Sequence, residues 1–276
     1  MNTNINEKAD VSVVIPCYNC SNTIERAVSS VFNQTLLPHE IILVDDASSD
    51  DTAKKLRDIQ TTYSPEFIKI VLLKKNSGPS IARNVGWDKS SSSLIAFLDA
   101  DDTWHPEKLN IQYKIMTGDK NIVISGHGCS VENTNAITID SKFHIIKKSE
   151  ILLSNIFRTT STIMVRAYSA ERFPKEKHYA EDYTFILNII LTGNKAIQIE
   201  SILACQYKEA YGISGLSENL WLMEKGELDA YYNLYQKNLI SFITFILITI
   251  YSLLKYTRRL CITKYRKIQK VYIEKD

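Results

Sequence analysis

The sequence lacks an internal repeat, a low-complexity tract and a large excess of charge of one sign. Its 276 residues are 45% hydrophobic and 23% charged, a composition typical of globular proteins that excludes global disorder. The net charge is only +2, and residues 255–276 alone carry eight Lys/Arg against two acids. The rest of the chain therefore has a net charge of −4, which argues against nucleic acid as a partner.

A set of paired cysteines is absent as well. The five cysteines are odd in number and scattered, which predicts reduced thiols in a protein that faces the cytosol. Cys17 and Cys20 have the CxxC spacing of redox and zinc sites, but no second pair or histidine partner accompanies them. Residues 1–10 are polar and show no signal-peptide pattern. We therefore expect neither disulfides nor zinc.

The sequence does contain a regular alternation of apolar runs and helical patterns. Apolar runs that predict strands occur at residues 11–16, 40–44, 68–73 and 94–98. Between them, apolar residues recur at helical spacing, as at Ile24, Ala27, Val28 and Val31. Alternation at this spacing predicts βαβ units and a parallel, doubly wound sheet.

Acidic residues follow the second and fourth of these predicted strands, at Asp45-Asp46 and at Asp99, Asp101 and Asp102. The carboxyl ends of parallel strands share one rim of a sheet, where ligands bind. Three adjacent carboxylates repel one another unless a cation screens them, and Mg²⁺ or Mn²⁺ shared with a phosphate-bearing ligand suits such a cluster. Aspartates also form turns and helix caps, so both interpretations stay open, and we expect Asp102 to cap the segment after it.

Beyond residue 116 the pattern is looser. The expected elements are strands at 121–125, 160–166, 196–199 and 202–207, a turn at 126–128, a hairpin region at 137–146 and a short helix at 150–153. The clearest element is an apolar helix that opens with Glu181-Asp182 and ends before Gly193. The helix dipole also favours an acidic pair at a helix start. A catalytic role and a capping role therefore both stay open for Glu181-Asp182.

The C-terminal tail differs in kind from the rest. Residues 239–254 contain no charge, and a basic cluster follows at Lys255, Arg258, Arg259, Lys264, Arg266 and Lys267. The run is shorter than the ~20 residues of a membrane span, and it is apolar on every face. An apolar segment beside basic residues predicts contact with an anionic membrane leaflet. The alternative is a C-terminal helix packed on the domain or on a second subunit.

Five motifs in order and spacing resemble the inverting family 2 glycosyltransferases with a GT-A fold. They are VSVVIPCYN (Val11–Asn19), VDDASSDDT (Val44–Thr52), NSGPSIARNVG (Asn76–Gly86), FLDADDTWHPEKL (Phe97–Leu109) and Glu181-Asp182. The resemblance covers roughly residues 10–210 and, within the family, is to enzymes of bacterial O-antigen, capsule or teichuronic acid assembly. It implies a Rossmann-like, mixed but mainly parallel sheet flanked by helices, with a C-terminal helical tail.

The resemblance also implies roles for particular residues. Pro16 lies in the floor of the nucleotide site with Asn19 in support, Tyr18 stacks on the base, and Asp46 binds the base imide N–H, which favours a uracil nucleotide. Arg83 lies near the nucleotide. Asp99 lies near the ribose and Asp101 on the metal, as a DxD-type motif. Asp182 is the catalytic base, supported by Glu181. Apart from these implied roles, Arg166 and Tyr179 are further candidates for the acceptor side, as is His178, which we set aside because a lone histidine is more often structural.

The chemistry implied is transfer of a hexosyl or N-acetylhexosaminyl group from a UDP-sugar, assisted by Mn²⁺ or Mg²⁺, to a hydroxyl of a lipid-linked saccharide. The implied location is the cytoplasmic face of the bacterial inner membrane. Residues 1–115 are expected to bind the nucleotide-sugar, 116–215 the acceptor, and 216–276 the membrane.

Two alternatives remain from the sequence. One is a catalytically inactive, membrane-bound scaffold that binds the same nucleotide-sugar. The other is a nucleotidyltransferase, which would usually have a glycine-rich phosphate loop near its N-terminus. Residues 16–21 contain no glycine, which counts against that class.

Overall fold

The computed structural model describes residues 8–131, 141–207 and 219–273, with side chains of the last helix described to residue 265. The first half alternates strands and helices: β1 (Ala9–Cys17), α1 (Ile24–Phe32), β2 (Pro38–Asp45), α2 (Thr52–Tyr63), β3 (Ile68–Leu72), α3 (Pro79–Asp88) and β4 (Leu94–Phe97). This is the predicted series of βαβ units. It arises because each strand is an apolar run and each helix has a single apolar face.

The second half has shorter and less regular elements. In order they are β5 (Thr103–Trp104), α4 (Lys108–Gly118), β6 (Ile122–Val131), β7 (Phe143–Ile145), α5 (Lys148–Leu153), a 3₁₀ turn (Thr160–Thr162), β8 (Met164–Arg166), α6 (Glu181–Leu191) and β9 (Lys195–Gln206). Two helices follow, α7 (Leu220–Gln236) and α8 (Phe242–Ile273).

All nine strands described belong to one mixed sheet. Its order is β3-β2-β1-β4-β8-β6-β9-β5, with β7 also paired to β9. The pairings among β1 to β4 are parallel, whereas β8 runs antiparallel to both β4 and β6. Because β1, β2 and β4 are parallel neighbours, the segments that follow them emerge at the same rim of the sheet.

The sheet separates two apolar cores. Val13 and Ile15 of β1 pack in the core that includes α1, and Val14 faces the opposite core with Ile95 and Phe97 of β4. Alternate residues of a strand point to opposite faces, so a strand covered on both sides is apolar throughout.

Gly86 of α3 explains how closely that helix lies on the sheet. A Cβ atom at residue 86 would come 2.3 Å from Cγ1 of Val14, so only glycine allows this approach. Arg83 lies one helical turn before Gly86. The close packing of α3 on the sheet therefore also holds Arg83 against the rim of the sheet.

Three local predictions for the second half are wrong. Residues 126–128 continue β6 instead of turning, and 196–206 form one strand instead of two. Residues 160–162 form a 3₁₀ turn ahead of the short strand β8. β7 pairs with β9, and residues 137–140 of the expected hairpin region lie outside the described part, so the hairpin stays a prediction.

The C-terminal helices α7 and α8 pack against each other and against α5 and α6. Within the part of the chain that the structure describes, none of the helices combines the length and apolarity needed to cross a membrane.

Candidate active site

The ends of β1 and β2 are joined at the sheet rim. The Asp46 amide donates to the Cys17 carbonyl (2.8 Å), and the Asn19 side-chain oxygen accepts from the Ser49 amide (2.9 Å). Pro16 pairs with Val44 inside the ladder between the two strands. The ring of Tyr18 stands at this rim and is 50% exposed, although Tyr is a large apolar side chain. The rim therefore presents a rigid turn carrying an open aromatic surface.

Asp46 is buried and holds the start of α3. Its two carboxylate oxygens accept from the backbone amides of Ser77 (2.8 Å) and Gly78 (2.7 Å). Gly78 has φ +88°, a conformation that favours glycine. A carboxylate oxygen has two lone pairs, so each oxygen of Asp46 keeps acceptor capacity beyond these bonds.

Asp99 lies at the end of β4, where side chains from both halves of the chain contact it. Arg83 donates from Nη2 at 2.8 Å, and the Thr160 hydroxyl lies 3.0 Å from both carboxylate oxygens. The Asp99 amide donates to the Ser161 hydroxyl (3.0 Å). Charged and hydroxyl donors together fix the orientation of this carboxylate.

Asp101 and Asp102 have different surroundings. Asp101 is partly exposed, and its backbone carbonyl accepts from Arg26 (2.9 Å). Asp102 is buried and accepts from the Ser161 hydroxyl at 2.6 Å. The prediction that Asp102 caps a helix is wrong, because the short strand β5 follows it and the carboxylate faces the 3₁₀ turn.

Among the described residues, no group of three or more His, Cys, Asp or Glu side chains is arranged to enclose a metal ion. Mg²⁺ in phosphate-handling sites is commonly held by one or two carboxylates, with phosphate oxygens and water in the other positions. The partly exposed carboxylate of Asp101, next to Asp99 on the same loop, fits a site of that shared kind.

Glu181 and Asp182 open α6, as predicted. Glu181 is buried and accepts from Nη1 of Arg83 at 3.2 Å. Asp182 accepts from the Asn155 side-chain amide (3.2 Å) and the Tyr183 backbone amide (2.7 Å). The helix start thus faces the same rim as β4.

Burial raises the pKa of Asp182 to about 7, and the negative charges of Glu181 and Asp99 act in the same direction. The Tyr183 amide and the Arg83 guanidinium oppose this rise. A carboxylate whose pKa is close to neutrality is suited to accept a proton at physiological pH.

Arg83 connects the two halves of the site. Its buried guanidinium forms ion pairs with Asp99 and Glu181, whose charges keep its pKa raised although burial acts against them. Its Nε has no partner among the residues described. One buried cation therefore links the loop after β4 to the start of α6.

Backbone strain is concentrated around this rim. Non-glycine residues with positive φ are Asn19, Ala47, Arg158, Ala180 and Asn238 in the described part of the chain. The first four lie next to the segments described above, and only Asn238 lies elsewhere, between α7 and α8. Residues in such conformations cost about 1–3 kcal/mol each and cluster at functional sites.

Sequence reasoning missed three residues of this rim: Asn155, Thr160 and Ser161. They lie between α5 and β8, and each contacts one of the acids through a neutral side chain. The run Thr159–Thr162 is rich in β-branched residues and so favours a strand by propensity. Nothing in its spacing indicates that its hydroxyls face carboxylates 60 residues away.

Of the acceptor-side candidates, Arg166 has a different position. It is buried, and it donates to the backbone carbonyls of Met116 (2.7 Å) and Ile122 (2.8 Å), which is a structural role. His178 lies beside Gly78, where an added Cβ would come 3.3 Å from its Nδ1. The loop before α6 therefore reaches the segment that Asp46 holds.

The fold is of the GT-A type. A solved structure of TarS 1–349 from S. aureus superposes with a TM-score of 0.64 at 19% identity, covering 90% of this chain and 71% of that one. A mannosyltransferase from Pyrobaculum calidifontis, solved with GDP-Man and Mn²⁺, gives a TM-score of 0.66 at 18% identity over 94% and 76% of the two chains. These similarities concern the fold.

The model of glycosyl transferase family 2 matches residues 12–179, and the chain belongs to that family. Among its relatives is a putative teichuronic acid biosynthesis glycosyltransferase, TuaG of Bacillus subtilis, 29% identical over 80% of this chain and 86% of that protein. Another is WfgD of Escherichia coli, a UDP-Glc:α-D-GlcNAc-diphosphoundecaprenol β-1,3-glucosyltransferase, 32% identical over 67% of this chain and 71% of that protein.

Proposed function

We propose that the protein is an inverting glycosyltransferase that moves a sugar from a UDP-sugar to a hydroxyl of a lipid-linked saccharide in bacterial surface polysaccharide synthesis. The observation that carries this proposal is the linkage, through Arg83, of the acidic loop after β4 to the Glu181-Asp182 pair. A donor-side acid cluster and a separate carboxylate with a pKa near neutrality are the two components that glycosyl transfer needs.

In the proposal the nucleotide occupies the rim formed by β1, β2 and α3. The open ring of Tyr18 stacks on the base above the turn at Pro16 and Asn19, while the free acceptor capacity of Asp46 receives the base imide N–H. The relatives favour uridine: WfgD uses UDP-Glc by its name, and TarS has been solved with UDP and with UDP-GlcNAc. Arg83 and Asp99 then lie on the ribose and diphosphate side.

Asp101 would hold a divalent cation together with the donor diphosphate, with Asp99 beside it. When bound, Mn²⁺ or Mg²⁺ supplies Lewis-acid stabilisation of the negative charge that develops on the leaving diphosphate. The manganese-bound mannosyltransferase is consistent with this assignment. Arg83 is already committed to Asp99 and Glu181, so its role is to fix those acids.

In this mechanism Asp182 is the general base. It removes the proton from the acceptor hydroxyl as the hydroxyl oxygen forms a bond to the anomeric carbon and the bond to the β-phosphate oxygen breaks. A single displacement inverts the anomeric configuration. Glu181, paired with Arg83, keeps the start of α6 in place, and its negative charge acts together with burial, the larger cause, to raise the pKa of Asp182.

The polarity of α8 supports membrane contact. Its outward face carries Ile243, Leu247, Ile250 and Leu254, each more than half exposed. Three of its polar side chains face α7 instead: Arg259 pairs with Glu224 (2.8 Å) and Glu227 (3.1 Å), and Lys255 and Ser252 also reach Glu227. An exposed apolar face, on a helix that pairs two of its cations with acids of α7, suits the boundary of a lipid leaflet.

This arrangement modifies the interpretation of the basic tail. Arg259 and Lys255 are used inside the protein, whereas Arg258 and Lys264 remain exposed beside the apolar face. We place the protein at the cytoplasmic face of the inner membrane, with residues 216–276 as the membrane-contacting part. Residues 1–115 and 116–215 are assigned to donor and acceptor, although α4 continues across that boundary.

The direct test is a screen of UDP-sugars against lipid-diphosphate saccharide acceptors, with mass spectrometry and linkage analysis of products. Wild type is expected to form a β-linked product from an α-linked donor. Asp101→Ala and Asp182→Asn are expected to reduce transfer at least 100-fold. Transfer at the wild-type rate by either variant would refute the mechanism. Binding of UDP and Mn²⁺ without turnover by wild type would instead favour an inactive scaffold.

A further inference from the structure

The segment between α5 and β8 contacts the acids of the site from one side. Thr160 reaches Asp99, and Ser161 reaches Asp102, as described above. Asn155 is the member of this segment that reaches Asp182, with its Nδ2 donating to Oδ2 at 3.2 Å. Since a carboxylate oxygen accepts hydrogen bonds, this contact determines which end of the amide faces Asp182.

The position of Asn155 is set by packing between α5 and α6. The hydroxyl of Tyr183, the residue after Asp182, donates to the Ile151 carbonyl of α5 at 2.6 Å. Ile151 and Leu152 are buried in the core shared with α6. Asn155 therefore follows α5, and α5 is hydrogen-bonded to α6 at Tyr183, the residue after Asp182. This bond holds the Asn155 amide at a fixed distance from the Asp182 carboxylate.

The oxygen end of the Asn155 amide lowers the stability of the folded protein. Oδ1 of Asn155 is buried and has no hydrogen-bond partner among the residues described. A buried polar atom without a partner lowers stability, and in a native protein it commonly marks a functional position. An apolar residue of similar size would remove this cost, so stability alone does not explain an asparagine here.

We propose that Asn155 is a positioning residue for the general base, whose amide orients the Asp182 carboxylate towards the acceptor hydroxyl and stabilises its ionised form. The inference rests on the proposed function in taking Asp182 as the base. Asn155 itself transfers no proton, because an amide neither gains nor loses one at neutral pH.

Several charges act on Asp182 together with Asn155. Glu181 on the same helix and Asp99 on the loop after β4 disfavour ionisation, while Arg83 on α3 and the Tyr183 backbone amide favour it. Asn155 adds a neutral donor from the α5 side. A hydrogen bond to a charged group favours the ionised form about tenfold, so its loss should move ionisation of Asp182 to higher pH.

The test compares Asn155→Leu with wild type in the full-length protein. The pH dependence of kcat/KM is expected to shift its acidic limb to higher pH, with activity at pH 7 falling about fivefold and recovering towards pH 9. Asn194→Leu is the matched control: Asn194 is exposed, and its amide donates to the Ile189 carbonyl at the other end of α6. It is expected to leave the pH profile unchanged.

A second readout does not depend on turnover. Carbon-13 NMR of aspartate carboxyls, without donor or acceptor, follows ionisation of Asp182, assigned by loss of its signal in Asp182→Asn. Asn155→Leu should titrate at higher pH than wild type. Should Asn155→Leu not fold, Asn155→Ser, which shortens the side chain out of reach of Asp182, takes its place in both measurements.

An unchanged Asp182 titration together with an unchanged pH profile would overturn the inference. So would a uniform loss of activity at every pH accompanied by a lower Tm, which is what a purely structural asparagine would give. If wild type transfers no sugar from any donor, the proposed function fails. The NMR titration still decides whether Asn155 stabilises the ionised carboxylate of Asp182.

Discussion

Replacing Asp182 by asparagine should stabilise the protein while it removes the proposed base. The pKa of this carboxyl is raised from 3.8 to about 7 in the folded chain. A raised carboxyl pKa means that the folded state disfavours the ionised form. Stability is therefore lost as pH rises from about 4 to about 7, when the unfolded chain releases its proton and the folded chain does not. Asparagine carries no proton to release and avoids this loss.

The magnitude follows from the size of the pKa change. A rise from 3.8 to about 7 corresponds to roughly 4 kcal/mol in the free energy of unfolding at pH 8. Although burial is the largest cause of the raised pKa, part of the Asp182 side chain is exposed, and solvent screening reduces this value to about 1–2 kcal/mol. In a chain of this size about 1 kcal/mol changes Tm by roughly 2–4 °C. We therefore expect Asp182→Asn to raise Tm by about 2–8 °C at pH 8.

The assay is thermal unfolding followed by circular dichroism at pH 5 and pH 8. The difference between variant and wild type should be larger at pH 8, because the effect belongs to ionisation. Asp58→Asn, at an exposed position of α2 away from the site, is the control and should change Tm little at either pH. The reasoning would be refuted if Asp182→Asn had a lower Tm than wild type at pH 8, or if its change in Tm were the same at pH 5 and at pH 8.

Two further predictions concern the donor site and the tail. Thr160→Val removes a hydroxyl that bonds both oxygens of Asp99, and it should weaken UDP binding about tenfold, as measured by calorimetry. Thr160→Ser keeps the hydroxyl and should bind UDP as wild type does. Equal affinities for valine and serine variants would contradict this. Leu247→Glu combined with Leu254→Glu should reduce sedimentation with phosphatidylglycerol vesicles at least tenfold, because two exposed leucines of α8 would no longer enter the leaflet. Leu72→Glu, on an exposed edge strand, is the control, and an equal loss there would count against α8.

The first half of the fold was predictable because its signals are local. Each strand among residues 11–98 is an apolar run, and each helix has one apolar face, so the order of elements follows from sequence period alone. Asp46, Asp99 and Asp101 follow strands that pair in parallel, which by itself brings them to one rim.

The rest depends on contacts between distant residues. The bonds of Thr160 and Asn155 to Asp99 and Asp182 follow from how the two halves pack, and no periodicity encodes them. β6 continues through Gly126 and Gly128 because the neighbouring strand β9 pairs with that segment, which overrides the turn preference of glycine. In α8, composition shows an apolar helix, but only the partners on α7 reveal which face is buried.

The shared guanidinium of Arg83 has a consequence for protein engineering. Donor and acceptor halves of related enzymes are natural units to exchange when new sugar linkages are sought. In the division proposed here, Arg83 and Asp99 belong to the donor half and Glu181 to the acceptor half. A buried ion pair that loses one member leaves an uncompensated charge, at a cost of about 3–5 kcal/mol. A chimera assembled across this boundary should therefore inherit all three residues as a set.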